Sequence, residues 1–98
     1  MLNRERDEII RDILITTNND EIGISKIMFH AYLSHSQAKA YLSELMTNGM
    51  ISNSETVLGK QFYKITPKGH DYLHALESMV EMIKPSRQLQ NLDYVIKL

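Results

Sequence analysis

Apolar positions keep a helical period from the start of this chain to Gly49 and then switch to alternation. In residues 4–17, RERDEIIRDILITT, the positions Ile9, Ile10, Ile13 and Leu14 form one stripe, which predicts a first helix with Asn3 as its cap. Asn18-Asn19-Asp20 ends it with turn-forming residues, and Glu21-Ile22-Gly23 predicts a very short strand. Ile24, Ile27, Met28 and Ala31 then fall at i, i+3, i+4 and i+7 of a second helix. Tyr32 and Leu33 break its phase, and Ser34 opens a third helix. Gln37, three residues on, has the spacing of a capping box, in which two orphan backbone donors are satisfied reciprocally. Ala38, Leu42 and Leu45 share one face of this helix, with Tyr41 and Met46 on its flanks, and Gly49 closes it.

Beyond Gly49 the period becomes two. Met50-Ile51-Ser52-Asn53 predicts the start of one strand, and Gln61 to Thr66 predicts another, with Tyr63 and Ile65 on one face and Phe62 and Lys64 on the other. SETVLGK lies between them, with Gly59 as the turn residue. Thr66 then caps a long helix and Pro67 occupies its first position, where the missing N–H costs nothing. This helix is expected to reach about Lys84 and to be ended or kinked by Pro85. Leu73, Leu76, Val80 and Ile83 are spaced three, four and three apart, and Tyr72 and Met79 widen the stripe. Its later turns lie too far along a helix of 1.5 Å rise per residue for so small a domain to cover, so Leu76, Met79, Val80 and Ile83 are expected to meet a second copy of the chain. The tail, residues 86–98, carries Leu89, Leu92, Val95, Ile96 and Leu98, too apolar for a free terminus. The expected division is a domain over residues 1–75 and a dimerisation helix with its tail over 76–98.

Helix, tight turn, capped helix is the helix-turn-helix arrangement, whose second helix enters the DNA major groove. At 100° per residue, the surface opposite Ala38, Leu42 and Leu45 presents Ser36, Ala40, Ser43 and Thr47, with Gln37 and Lys39 on its borders. Gln37 stands near the helix start, where base contacts usually fall, and glutamine pairs bidentately with adenine. Glu44 on one flank opposes DNA and is expected to point away. Lys60 and Lys64 on the hairpin have two readings that the sequence leaves open: contact with DNA phosphates, or protection of an edge strand against unwanted pairing.

Length and charge narrow the choice. The chain has 98 residues, enough for one domain with one modest core. Its net charge is −1, with five Lys/Arg and seven Asp/Glu in residues 1–49 and six and five in residues 50–98. Neither half is a basic tail, so nucleic-acid affinity has to come from the placement of a few cations. The charges of the first helix read most simply as a solvated face of near-neighbour ion pairs. There is no cysteine, hence neither a disulfide nor a thiolate metal site. No stretch approaches membrane-spanning length and the first residues are not of signal-peptide type, which points to the cytoplasm, with the nucleoid as the place of work.

The segments YLSELMTNGMIS, Tyr41 to Ser52, and FYKITPKGHDYL, Phe62 to Leu73, resemble the winged helix-turn-helix fold, and among its members the small archaeal ArnR-like proteins that dimerise through a C-terminal antiparallel coiled coil. The pattern of tyrosine, one variable residue, isoleucine, threonine, two variable residues and glycine, closing a hairpin and starting a helix, carries much of the likeness. The resemblance implies a mainly α fold with a small β-hairpin (α+β), a long C-terminal helix and a DNA-binding role as a homodimer. The near-neutral charge departs from the basic members and favours a dedicated regulator over a chromatin coat.

Other chemistry finds little support. His70 and His74 lie at i and i+4, a spacing that can chelate zinc or nickel, but the glutamate of a zinc-protease helix is missing and no third ligand is placed. They read as two exposed histidines. His35 flanks the turn of the motif and can reach a phosphate or serve as a plain surface histidine. No nucleophile motif, glycine-rich phosphate loop or paired-carboxylate cleft is present, so neither an enzyme nor a resident metal or cofactor is expected. The expectation is a transcriptional regulator that binds double-stranded DNA as a homodimer, with residues 35–48 in the major groove, residues 50–66 on the backbone, and no membrane partner. Ser36, Gln37, Lys39, Ala40, Ser43, Lys60 and Lys64 are the candidate DNA contacts. The alternative is a module of the same fold that binds protein.

Overall fold

The computed structural model describes residues 4–83, with side chains from Arg6 to Met79. The elements in chain order are α1 (Arg4–Thr16), α2 (Ile24–Ala31), α3 (His35–Thr47), β1 (Ile51–Glu55), β2 (Gln61–Ile65) and α4 (Pro67–Ile83). The expected cap at Asn3, the stop at Pro85 and the apolar tail lie outside the described residues.

The core collects the stripes read from the sequence. Ile13, Leu14, Ile27 and Leu42 are fully buried, and Ile10, Ala38, Leu45, Ile51, Tyr63, Ile65 and Leu73 pack around them. α1 lies against α2 and α4, while α2 packs on α3 and β2. Burying each such aliphatic side chain is worth about 1.5–3 kcal/mol, so this shared core is what makes four short helices and two strands one unit.

The connection from α1 to α2 ties the hairpin to the helices. Thr17 is buried; its Oγ1 donates to the Ile13 carbonyl at 2.9 Å, and its own carbonyl accepts from the Ile65 N–H at 3.1 Å. Ile22 and Tyr63 exchange N–H to carbonyl bonds of 3.0 and 2.8 Å, an isolated antiparallel bridge where the short strand was expected. Ser54 Oγ donates to Glu21 Oε2 at 2.9 Å on the other strand. The hairpin is antiparallel, with Ile51 opposite Ile65 and Glu55 opposite Gln61. Its base is therefore held on both strands.

Thr66 caps α4 as expected. Its Oγ1 accepts from the Gly69 N–H at 3.0 Å and donates to the Gly49 carbonyl at 2.6 Å, which fastens α4 to the end of α3. Gly69 is needed for this approach: a Cβ there would stand 2.2 Å from the Met50 carbonyl oxygen and 2.7 Å from Ile65 Cγ1. The pattern from Tyr63 to Gly69 thus encodes how the hairpin meets α4.

Two expectations need correction. The charges of α1 are not confined to pairs along that helix. Arg6 binds Glu44 of α3 and lies 5.7 Å from the Tyr41 ring centroid, and Arg11 stands 3.7 Å from Glu77 of α4. Sequence spacing shows only neighbours on one helix, so these pairs between helices were invisible to it. Leu76 is the second. Only 5% exposed, it belongs to the core of this chain and leaves nothing for a partner to cover. α4 runs unbroken past residue 75 because α1 packs alongside it. Of the proposed dimer stripe, Met79 is exposed, at 43%, while the side chains of Val80 and Ile83 lie outside the described ones.

Candidate nucleic-acid interface

α3 owes its start to Ser34. The Ser34 Oγ accepts from the Gln37 N–H at 3.2 Å, and the Gln37 Oε1 accepts from the Ser34 N–H at 3.0 Å, a complete capping box. The chain enters it through Tyr32, whose backbone sits in the left-handed region at φ 55°. That sharp reversal lets an eight-residue helix deliver α3 at an angle.

Burying Ala38, Leu42 and Leu45 turns the opposite face of α3 outward. Ser36, Gln37, Lys39, Ala40, Ser43 and Thr47 are all exposed there. Glu44, on the flank, is half-buried and occupied by Arg6, away from that face. The Glu44 hydrogen bond also holds the Arg6 guanidinium above its ordinary pKa. On the hairpin, Lys60 and Lys64 are exposed, and Lys60 Nζ stands 5.4 Å from the centroid of the Phe62 ring.

The structure brings some of these residues together in one place. An open groove of about 480 Å³ runs between the starts of α2 and α3 and strand β2. Ile22 and Phe62 give it apolar wall; Lys26, His35, Lys39 and Lys60 give it cationic groups. Glu21 is its acid, and that carboxylate already accepts from Ser54. Among the described residues, no carboxylate is paired with Lys26, Lys39 or Lys60. At the same end, α2 begins on Gly23 without a side-chain cap. Ser36, Gln37, Ala40, Ser43 and Lys64 are not part of this groove. Lys26 was missed from the sequence, where it reads as any exposed lysine; only the fold sets it beside Lys39 and Lys60.

Gln37 shows a conflict that spacing alone hides. The oxygen that would accept from adenine is already bonded to the Ser34 N–H. The amide nitrogen remains available, so this residue enters any base contact as a positioned donor.

The winged helix-turn-helix family model matches residues 3–84. The chain belongs to the winged helix-turn-helix family. The uncharacterized protein MJ0290 of Methanocaldococcus jannaschii is 31% identical over 84 residues, covering 86% of this chain and 37% of that relative. The chain thus spans little more than a third of the length of the curated relative it matches. Among solved structures, the DNA-binding protein Sso10a-2 from Sulfolobus solfataricus superposes with a TM-score of 0.72 at 21% identity, over 92% of this chain and 93% of that one. The transcription regulator MepR of Staphylococcus aureus gives 0.75 at 12% identity, over 95% and 70%. A MepR variant bound to an oligodeoxyribonucleotide gives 0.71 at 12% identity, over 98% and 78%. At these identities the likeness is one of fold. In this family's terms α2 and α3 are the helix-turn-helix pair and the β1–β2 hairpin is the wing. No helix among the described residues is long and apolar enough to cross a membrane.

Proposed function

We propose that this protein is a transcriptional regulator that binds double-stranded DNA as a homodimer, with α3 in the major groove and the wing on the backbone. The observation that carries this reading is the groove between α3 and the wing, where Lys26, Lys39 and Lys60 stand without carboxylate partners in a chain of net charge −1. Leaving three cations unpaired in one place, while Arg6 and Arg11 are paired elsewhere, suits a polyanion. Phosphate contacts from these lysines supply affinity, and Ser36, Gln37, Ala40 and Ser43 face the base edges. The neutral, small-residue surface of α3 permits close approach to the groove floor.

The dimer rests on the far end of α4, where Met79 is exposed and Val80 and Ile83 continue the apolar spacing. Titration of a random-sequence duplex, followed by fluorescence anisotropy at several salt concentrations, tests the reading. A dimer that neutralises roughly four to six phosphates gives a slope of log K against log salt of about −4 to −5. Light scattering of wild type and Val80→Glu should give dimer and monomer. The absence of salt-sensitive binding would hand the fold to the protein-interaction reading, and a wild-type monomer at micromolar concentration would remove the dimer.

A further inference from the structure

The tip of the wing carries the two most exposed large aliphatic side chains of the described residues. Val57 and Leu58 are 104% and 92% exposed. They occupy the centre of a turn, a place where glycine, asparagine, aspartate and serine are usual. The turn is well made. Gly59 donates its N–H to the Thr56 carbonyl at 2.9 Å, and Thr56 donates its own to the Lys60 carbonyl at 2.9 Å. The Lys60 N–H also reaches Thr56 Oγ1 at 3.1 Å, and Gly59 takes the left-handed conformation at φ 83° that a three-residue hairpin loop of this kind requires. The backbone bonds are thus made within the turn, and both apolar side chains are held out in water. Glu55 lies beside Gly59.

We infer that Val57 and Leu58 form an apolar wedge that enters the DNA minor groove beside the major groove occupied by α3, and partly unstacks a base step there. The inference rests on the DNA-binding reading above and adds a contact that is neither phosphate nor hydrogen bond. Three observations select DNA as the occupant. The base of the wing is locked to the helices through Ile22, Tyr63 and the Ser54–Glu21 bond, so the tip holds a fixed place relative to α3. Lys60 and Lys64 lie along the same hairpin and would carry its flanks over phosphates. The reach also fits: five strand pairs at about 3.4 Å per residue carry the tip about 17 Å from the base, near half a helical turn of duplex. Apolar side chains inserted between base steps are a known way to kink DNA, with the unstacking cost offset by wider contact. Such a wedge reads deformability, so pyrimidine–purine steps under the tip would be favoured.

The test uses the full chain and a duplex selected from random sequence, labelled with 2-aminopurine at its pyrimidine–purine steps. Wild type should raise the fluorescence of one label as it unstacks. Val57→Ser with Leu58→Ser should weaken binding about tenfold, from loss of partial burial of two aliphatic side chains, and remove most of that rise. The salt slope should stay as in wild type, because no cation is lost. Lys60→Ala should do the reverse, flattening the slope and keeping the rise. Both tip side chains are fully exposed, so an unchanged melting temperature checks the fold. Leu58→Phe, a larger wedge, should increase the signal. If the double variant binds and unstacks as wild type does, or if wild type gives no fluorescence response, the wedge is overturned while DNA binding stands. If wild type shows no duplex binding at all, both readings fall.

Discussion

On the outer face of α1, Arg6 meets Glu44 of α3 and Arg11 meets Glu77 of α4; around the groove, Lys26, Lys39 and Lys60 meet no carboxylate among the described residues. Both regions hold cations, arginines on the α1 side and lysines at the groove, in one nearly neutral chain. What separates them is where the fold places the acids. On the α1 side, each acid comes from another helix and turns a cation into a strut between elements. Beside the groove, Glu21 is engaged by Ser54 and Glu44 is held by Arg6 on the far flank of α3. The α1 face thus pairs the single acid of α3, Glu44, outside the groove lining.

Removing the groove lysines has the largest expected effect. Lys39→Ala with Lys60→Ala would delete four cations from a dimer. If each neutralises one phosphate, the salt slope should flatten by about 3 to 4, and affinity at 0.1 M salt should fall by roughly three orders of magnitude on every duplex. Lys60→Ala alone should weaken all sequences alike. Salt-dependent anisotropy on a selected and a scrambled duplex reads both quantities. An unchanged slope would mean that the groove is not where phosphates lie.

Within α3, the Gln37 side chain both helps start the helix and faces outward. Gln37→Ala should cost about 0.5–1.5 kcal/mol on the preferred site and little on a scrambled one, by loss of one hydrogen bond donated to a base. It also removes the Gln37 half of the capping box, one hydrogen bond worth about 0.5–1.5 kcal/mol, while the Ser34 Oγ still accepts from the backbone N–H of residue 37. Gln37→Glu separates the two roles. Glutamate keeps the box, since its oxygen still accepts from Ser34, but brings no donor to a base. Thermal melts close to wild type, with site discrimination lost, are expected for Gln37→Glu. If discrimination survives in both variants, Gln37 is a capping residue only.

Much of this architecture is written locally, and that is why it could be read. The stripes of α1, α2 and α3, the box at Ser34 and Gln37, and the cap at Thr66 depend on residues within four positions of one another. The likeness around Tyr63 to Gly69 was legible for a related reason: a buried tyrosine and isoleucine, a capping threonine and a glycine under the Met50 carbonyl leave few alternatives. The groove was legible only in part. Lys39 and Lys60 are recognisable as cations on two elements, but Lys26 joins them only once Ile22 has paired with Tyr63 and set the start of α2 beside the wing. Leu76 failed for the opposite reason. Its spacing fits a partner-facing stripe as well as a core-facing one, and only the packing of α1 along α4 decides between them.

The smallest effect lies on the α1 face. Arg11 and Glu77 are 3.7 Å apart, with their side chains 41% and 48% exposed. Water and salt screen such a pair, and holding two long side chains together costs conformational entropy, so its worth is about 0–1 kcal/mol. A double-mutant cycle with Arg11→Ala and Glu77→Ala, followed by urea unfolding, should return a coupling within that range and shrinking with added salt. Arg11 is as cationic as Lys39, yet Arg11→Ala should leave the salt slope of DNA binding as it is in wild type, because its charge faces α4 rather than the groove. If Arg11→Ala flattened the slope as Lys60→Ala is expected to, phosphate binding would be spread over the whole surface. Pairing on one face and exposure on the other would then no longer support the proposed DNA binding by a chain of net charge −1.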